Sequence, residues 1–150
     1  MLKHKTKWSA LLIFFALIIG GTQLAVAAQD KPFADTKVVL QISDPNPFKQ
    51  TLILNVASNM IKHFGTDKVA IEVVAFGPGL RLMFADNANS GRIDSLQAEG
   101  EVFHGCSNTL AKMTSLLGHE PKLHKDVDAK QGGVVTIMGL VKNGYTLIKP

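Results

Sequence analysis

Residues 68–76 read KVAIEVVAF. Every position except Lys68 and Glu72 is apolar, and Val69, Ile71, Val73 and Val74 are β-branched. A strand with one solvated face alternates apolar and polar residues, whereas a strand apolar on both faces is covered on both. The stretch therefore predicts a central strand of a parallel sheet with helices above and below it. Gly77-Pro78-Gly79 stops the strand, because proline donates nothing to a sheet ladder and glycine favours a turn.

The same alternation extends outward on both sides. Residues 37–43 (KVVLQIS) read as a strand, and Asp44-Pro45-Asn46-Pro47 breaks it. That break also starts a helix: Asn46 can cap, and Pro47 suits the first helical position, where its missing N–H costs nothing. Over 48–64, Leu52, Ile53, Val56, Ala57, Met60, Ile61 and Phe64 form one stripe. Asn55, Ser58, Asn59 and Lys62 fall opposite, which predicts an amphipathic helix over 47–64 ended by Gly65. Downstream, a helical stretch is expected over about 79–86. A polar loop follows with Asn87, Asn89, Ser90 and Gly91, then a short helix near 92–99. Residues 101–105 (EVFHG) read as a third strand. A helix over 106–117 follows, with Leu110, Met113 and Leu117 on one face and Gly118 after its end.

Residues 118–132 read as a polar loop. The last segment admits two readings. VVTIMGLVK, Asn143-Gly144 and YTLIKP suit a β-hairpin, since Asn-Gly is the strongest short hairpin signal. Equally, Val134, Ile137, Met138 and Val141 share a helical face over 132–142, with a final strand at 145–149. Gly144 serves either turn. Repeated strand–helix alternation predicts an α/β domain with a mostly parallel sheet and helices on both faces. Such sheets place their sites at the carboxyl ends of the strands. Here those ends are Ser43-Asp44, Gly77-Pro78-Gly79 and Gly105-Cys106.

Hydrophobic residues make up 46% of the 150-residue chain and charged residues 19%, which excludes disordered, collagen-like and coiled-coil classes. The formal charge of +4 is shared unevenly. Lys3, Lys5 and Lys7 precede the apolar run ALLIFFALII (10–19), and Ala25-Val26-Ala27 supplies a small-x-small end. This pattern predicts a secretory signal peptide over 1–27, cleaved after Ala27, and a periplasmic protein with no membrane attachment after cleavage. No cysteine lies near the cut, so a lipoprotein is not expected. Residues 28–36 are then a polar lead-in and 37–150 the domain. With the three signal lysines removed, basic and acidic residues nearly balance. No segment clusters Lys or Arg, so no nucleic-acid partner is expected.

Cys106 is the single cysteine, which rules out an internal disulfide framework and a multi-cysteine zinc site. It lies at a strand-to-helix junction, where free N–H groups and the helix dipole stabilise a thiolate. His104, two residues earlier, shares its face in an extended strand and is placed to assist the thiolate, although the bend at Gly105 weakens that inference. Buried packing is the competing fate of a lone cysteine, and pairing between subunits is a third.

VVLQIS (38–43), the helical stretch Asn55–Asn59, IEVVAFGPGLRLM (71–83), FHGCSNTL (103–110) and GLVKNGYTLIKP (139–150) together resemble the DsrE/DsrF-like family of small sulfur-handling proteins, in its exported single-domain branch. The resemblance spans 37–150. It implies a three-layer α/β/α fold, a helix rather than a hairpin before Asn143-Gly144, and assembly into homo-oligomers. It also implies a sulfur relay or sulfurtransferase function, in which Cys106 carries sulfur as a persulfide between a sulfane-sulfur donor and a thiol acceptor. No metal or organic cofactor is required. The family often has glycine after this cysteine, where this chain has Ser107. Asn108 and Thr109, in the first helical turn, are candidates to donate to the persulfide or simply to cap the helix.

Other residues carry weaker signals. Gly77 and Gly79 suit either an anion cradle or a plain tight turn. Asp44 either lines the pocket or starts the turn before the first helix. His119, His124, Asp126 and Asp128 match no standard metal-ligand spacing and read as a solvated loop. Against the sulfur-carrier reading stands a non-catalytic binding or assembly module of the same fold.

Overall fold

The computed structural model describes residues 31–150; the expected signal peptide over 1–27 lies outside the described residues. Five strands form one sheet: β1 (Thr36–Ile42), β2 (Val69–Ala75), β3 (Val102–Gly105), β4 (Val127–Asp128) and β5 (Thr146–Ile148). All four pairings are parallel, in the order β4-β3-β2-β1-β5. The helices are α1 (Pro47–Phe64), α2 (Ser90–Ala98), α3 (Ser107–Leu117) and α4 (Gly133–Lys142), with a 3-10 helix over Gly77–Met83.

Two cores lie on the two sides of the sheet. Val38, Leu40, Ile42, Ile71, Val73, Ala75 and Phe103 pack with Ile53, Leu54, Ala57 and Ile61 of α1 and Ile93 and Leu96 of α2. Leu110 and Met113 of α3 lie against the same core. The alternate residues Val39 and Val74 face the other way, onto Ile137 of α4. The result is a three-layer α/β/α sandwich, with three helices on one face and one on the other.

The start of α1 follows the sequence closely. Asn46 is extended and its side-chain oxygen accepts from the Phe48 amide at 2.9 Å, with Pro47 next. Gly65, at φ 91°, closes the helix by donating to Ile61. The buried stripe, however, is rotated from the expected one. Gln50, Ile53, Leu54, Ala57 and Ile61 are buried, whereas Leu52 and Phe64 are exposed. Gln50 tolerates burial because its amide oxygen accepts from Asn87 at 3.1 Å and its nitrogen reaches the Pro45 carbonyl at 3.4 Å. Leu117 of α3, placed on the packed face by its spacing, is also exposed.

Two further boundaries depart from expectation, while the end of the chain follows the helix-then-strand reading. The stretch after Gly77 is a 3-10 helix over 77–83 rather than a helix over 79–86. The loop 118–132 holds β4, whose two residues pair with Phe103 and His104. The chain's end is no hairpin: Tyr145 N–H donates to the Leu140 carbonyl at 3.1 Å across Gly144 (φ 89°), and the chain turns into β5 beside β1. Among the described residues no helix is long and apolar enough to cross a membrane.

At the amino-terminal edge of the sheet the lead-in is tied down. Lys31 Nζ lies 2.6 Å from Glu101 Oε1 and 3.2 Å from the Val69 carbonyl. Both charged side chains are buried. Burial drives the Glu101 carboxyl up to about 7, and the Lys31 ammonium only partly opposes this.

Candidate functional site

Cys106 occupies the capping position of α3 in extended backbone (φ −92°, ψ 118°), at the end of β3. It is buried, with 7% of its surface exposed. The first turn of α3 supplies Asn108 and Thr109 to its surroundings, and the first turn of α4 supplies Gly133, which also lies against Phe76 just after β2.

Gly133 is the contact that brings α4 in. A Cβ there would lie 3.0 Å from Phe76 Cβ and 3.3 Å from Cys106 Cβ. The missing side chain is what lets the start of α4 reach the thiol. The Ser107 amide donates to the Gln131 carbonyl at 2.9 Å, pinning the preceding loop onto α3. Two helix amino termini therefore converge on one sulfur.

Burial raises the Cys106 thiol, since a thiolate is disfavoured away from water. The Thr109 hydroxyl and the amides of Gly133, Thr109 and Asn108 act in the opposite sense and together prevail, so the thiol lies below its ordinary value. The sulfur makes no regular capping hydrogen bond; the amides present it with their positive dipole ends. Thr109 Oγ1 accepts from the Gly77 amide at 2.9 Å. With that lone pair taken, its proton is free to point at the sulfur.

The expected site residues divide. Thr109 and the Asn108 amide belong to the thiol's surroundings, and Gly77 acts through Thr109. Gly79 has a packing role: a Cβ there would lie 2.7–2.8 Å from the Ile42 carbonyl and Ser43 Cα, so β1 and the 3-10 helix pass too closely for any side chain. Neither glycine forms an anion cradle of its own.

Asp44 is not among the groups that act on the thiol. Its carboxylate accepts from the Asn46 amide at 2.9 Å and pairs with Lys49 at 2.6 Å, which holds it below the usual carboxylate range. It starts the turn into α1. His104 shares the Cys106 face of the sheet, but its Nε2 lies 2.5 Å from Glu72 Oε2. The imidazole is committed to that carboxylate, and thiolate stabilisation comes from amides and a hydroxyl instead.

Gly132-Gly133 and Phe76 were missed from sequence. The adjacent glycines directly before an apolar helix were the available signal, since paired glycines there suit a close backbone approach. In the 118–132 loop, His124 is buried against Asp94 at 3.5 Å and bonds the Lys125 carbonyl at 3.0 Å. Among the described residues no group of three or more His, Cys, Asp or Glu side chains is arranged to hold a metal ion.

No family model and no curated protein matches the chain. Among solved structures it is similar to a protein of unknown function, MTH1491 from Methanobacterium thermoautotrophicum. The two share 29% identity and a TM-score of 0.69, over 77% of this chain and all of that one. The similarity agrees with the α/β/α architecture and carries no activity with it.

Proposed function

We propose that the chain is a sulfur carrier of the DsrE/DsrF-like type that holds sulfane sulfur as a persulfide on Cys106. The observation that carries this reading is the convergence of the α3 and α4 amino termini and the Thr109 hydroxyl on one sulfur, which lowers its pKa despite burial. A structural thiol has no need of such surroundings.

The chemistry follows from them. The Cys106 thiolate attacks the terminal sulfur of a donor persulfide or polysulfide. A new S–S bond forms, the donor's S–S bond breaks, and the shortened donor leaves as a thiolate carrying the electron pair. An acceptor thiolate then attacks the outer sulfur and Cys106 leaves as a thiolate. The same amides that favour attack also make Cys106 a good leaving group. Both half-reactions exchange thiolates, so no cofactor is needed. The partners are a sulfane-sulfur donor and a thiol acceptor. The basic start and apolar run over 1–27 support export and action in the periplasm.

The burial of Cys106 favours a second reading, in which the protein is an assembly module and the thiol is packing. The same burial argues against a subunit-linking disulfide, because two such sulfurs cannot approach without backbone movement. Alkylation of the native protein across a pH range separates the readings. The carrier is modified by a small reagent, with a midpoint below that of the unfolded chain. A thiol that is inert until denaturation favours the module.

A further inference from the structure

We infer that the cavity along the β3–β4 edge of the sheet is a binding site for a small organic cation whose N–H groups donate to Glu101 and Gln97. The cavity measures about 630 Å³, within the roughly 300–1,000 Å³ that ligand sites occupy. The passage from α2 into β3, the start of α3 and the segment carrying β4 wall it. Cys106 is not part of the wall, so the site stands apart from the sulfur reading. Glu101, Glu120, Asp126 and Asp128 line it against one ammonium, that of Lys130. His104 also reaches it, but that imidazole is turned to Glu72. Among the described residues neither Glu120 nor Asp126 forms an ion pair.

Acidic walls alone specify no ligand, since solvent serves them. Two buried acceptors do. The Glu101 side chain is 0% exposed. Lys31 takes its Oε1 at 2.6 Å, and no donor among the described residues reaches Oε2. Gln97 gives its amide nitrogen to the Lys125 carbonyl at 3.1 Å, which fixes the orientation of the amide, and its Oε1 is likewise buried without a donor. Buried polar groups are nearly always paired, and both of these side chains line the same cavity. Both orphans accept, so the missing partner donates. A carboxylate bonds most strongly to a charged donor, and Lys31 shows an ammonium held by this one. A metal ion fits less well, because among the described residues no three His, Cys, Asp or Glu side chains are arranged to hold one. Val102, Leu110 and Leu123 add apolar wall. The ligand class is therefore an aliphatic polyamine: one ammonium at Glu101 and Gln97, the chain along the apolar wall, and a second ammonium toward Glu120 and Asp126.

Calorimetric titration with cadaverine, an aliphatic diamine, tests this at about pH 8, where the Glu101 carboxyl, at about 7, is ionised. The wild-type and Cys106→Ser chains should each bind one equivalent with the same affinity. Glu101→Gln should weaken binding by at least about tenfold, the size of one hydrogen bond to a charged group. Should Glu101→Gln not fold by circular dichroism, the double variant Glu120→Gln/Asp126→Asn replaces it and should weaken binding by about threefold or more, as the loss of two exposed charge pairs does. Pentanediol, of the same length without the charges, should not bind. The absence of binding at millimolar cadaverine overturns the inference. So does unchanged affinity in a folded Glu101→Gln chain or in the double variant that replaces it, uptake of many equivalents, or pentanediol that binds as tightly as the diamine.

Discussion

Thr109 Oγ1 accepts from the Gly77 amide at 2.9 Å, and the same hydroxyl lowers the Cys106 thiol. The turn after β2 thereby bears on the chemistry at the end of β3. Thr109→Val keeps the shape and removes the hydroxyl. The thiol pKa should rise, and alkylation at neutral pH should slow by about two- to tenfold, the size of one net hydrogen bond. Thr109→Ser should restore both. The pH dependence of the alkylation rate reads this directly.

Glu101 gives the fold a pH dependence of defined sign. Its folded pKa of about 7 lies above the ordinary 4.5. A raised carboxyl pKa contributes stability that is fully present below the unfolded value and is lost as pH rises through the folded one. Between pH 4.5 and 7 the protein should therefore lose on the order of 3 kcal/mol relative to Glu101→Gln. Urea unfolding of both proteins at several pH values measures the difference. Lys31→Met should deepen the loss above neutrality, since the ammonium is what partly opposes burial.

Two glycines should respond in opposite ways to alanine. Gly79→Ala drives a methyl into the Ile42 backbone and should cost at least about 1–3 kcal/mol, as overpacking does. Gly139 lies inside α4 with open space around its missing side chain. Gly139→Ala should stabilise by roughly 0.5–1 kcal/mol through helix propensity alone. Thermal unfolding of the two variants beside the wild type checks both signs.

The fold was legible because its strongest signals are local. Asn46-Pro47 and Gly65 bound α1 in the sequence as they do in space, and the apolar KVAIEVVAF run announces a strand covered on both faces. The two-residue β4 was not legible, because its pairing comes from β3 rather than from any pattern in a polar loop. The Asn143-Gly144 hairpin signal lost to tertiary structure: β5 finds its partner in β1, more than a hundred residues away in sequence. At the site, Cys106 and Thr109 stood out as neighbours at one helix start. The pairing of His104 with Glu72 and the reach of Gly133 did not, since each depends on strand register or on a close approach between distant segments.

The central claim is that Cys106 holds sulfur, and intact-protein mass spectrometry tests it most directly. Reduced protein incubated with a polysulfide or a low-molecular-weight persulfide should gain about 32 Da for each sulfur atom carried. A thiol should remove the added mass, and Cys106→Ser should never acquire it. Wild-type protein that stays at its reduced mass with every donor, while its thiol is demonstrably free, contradicts the account.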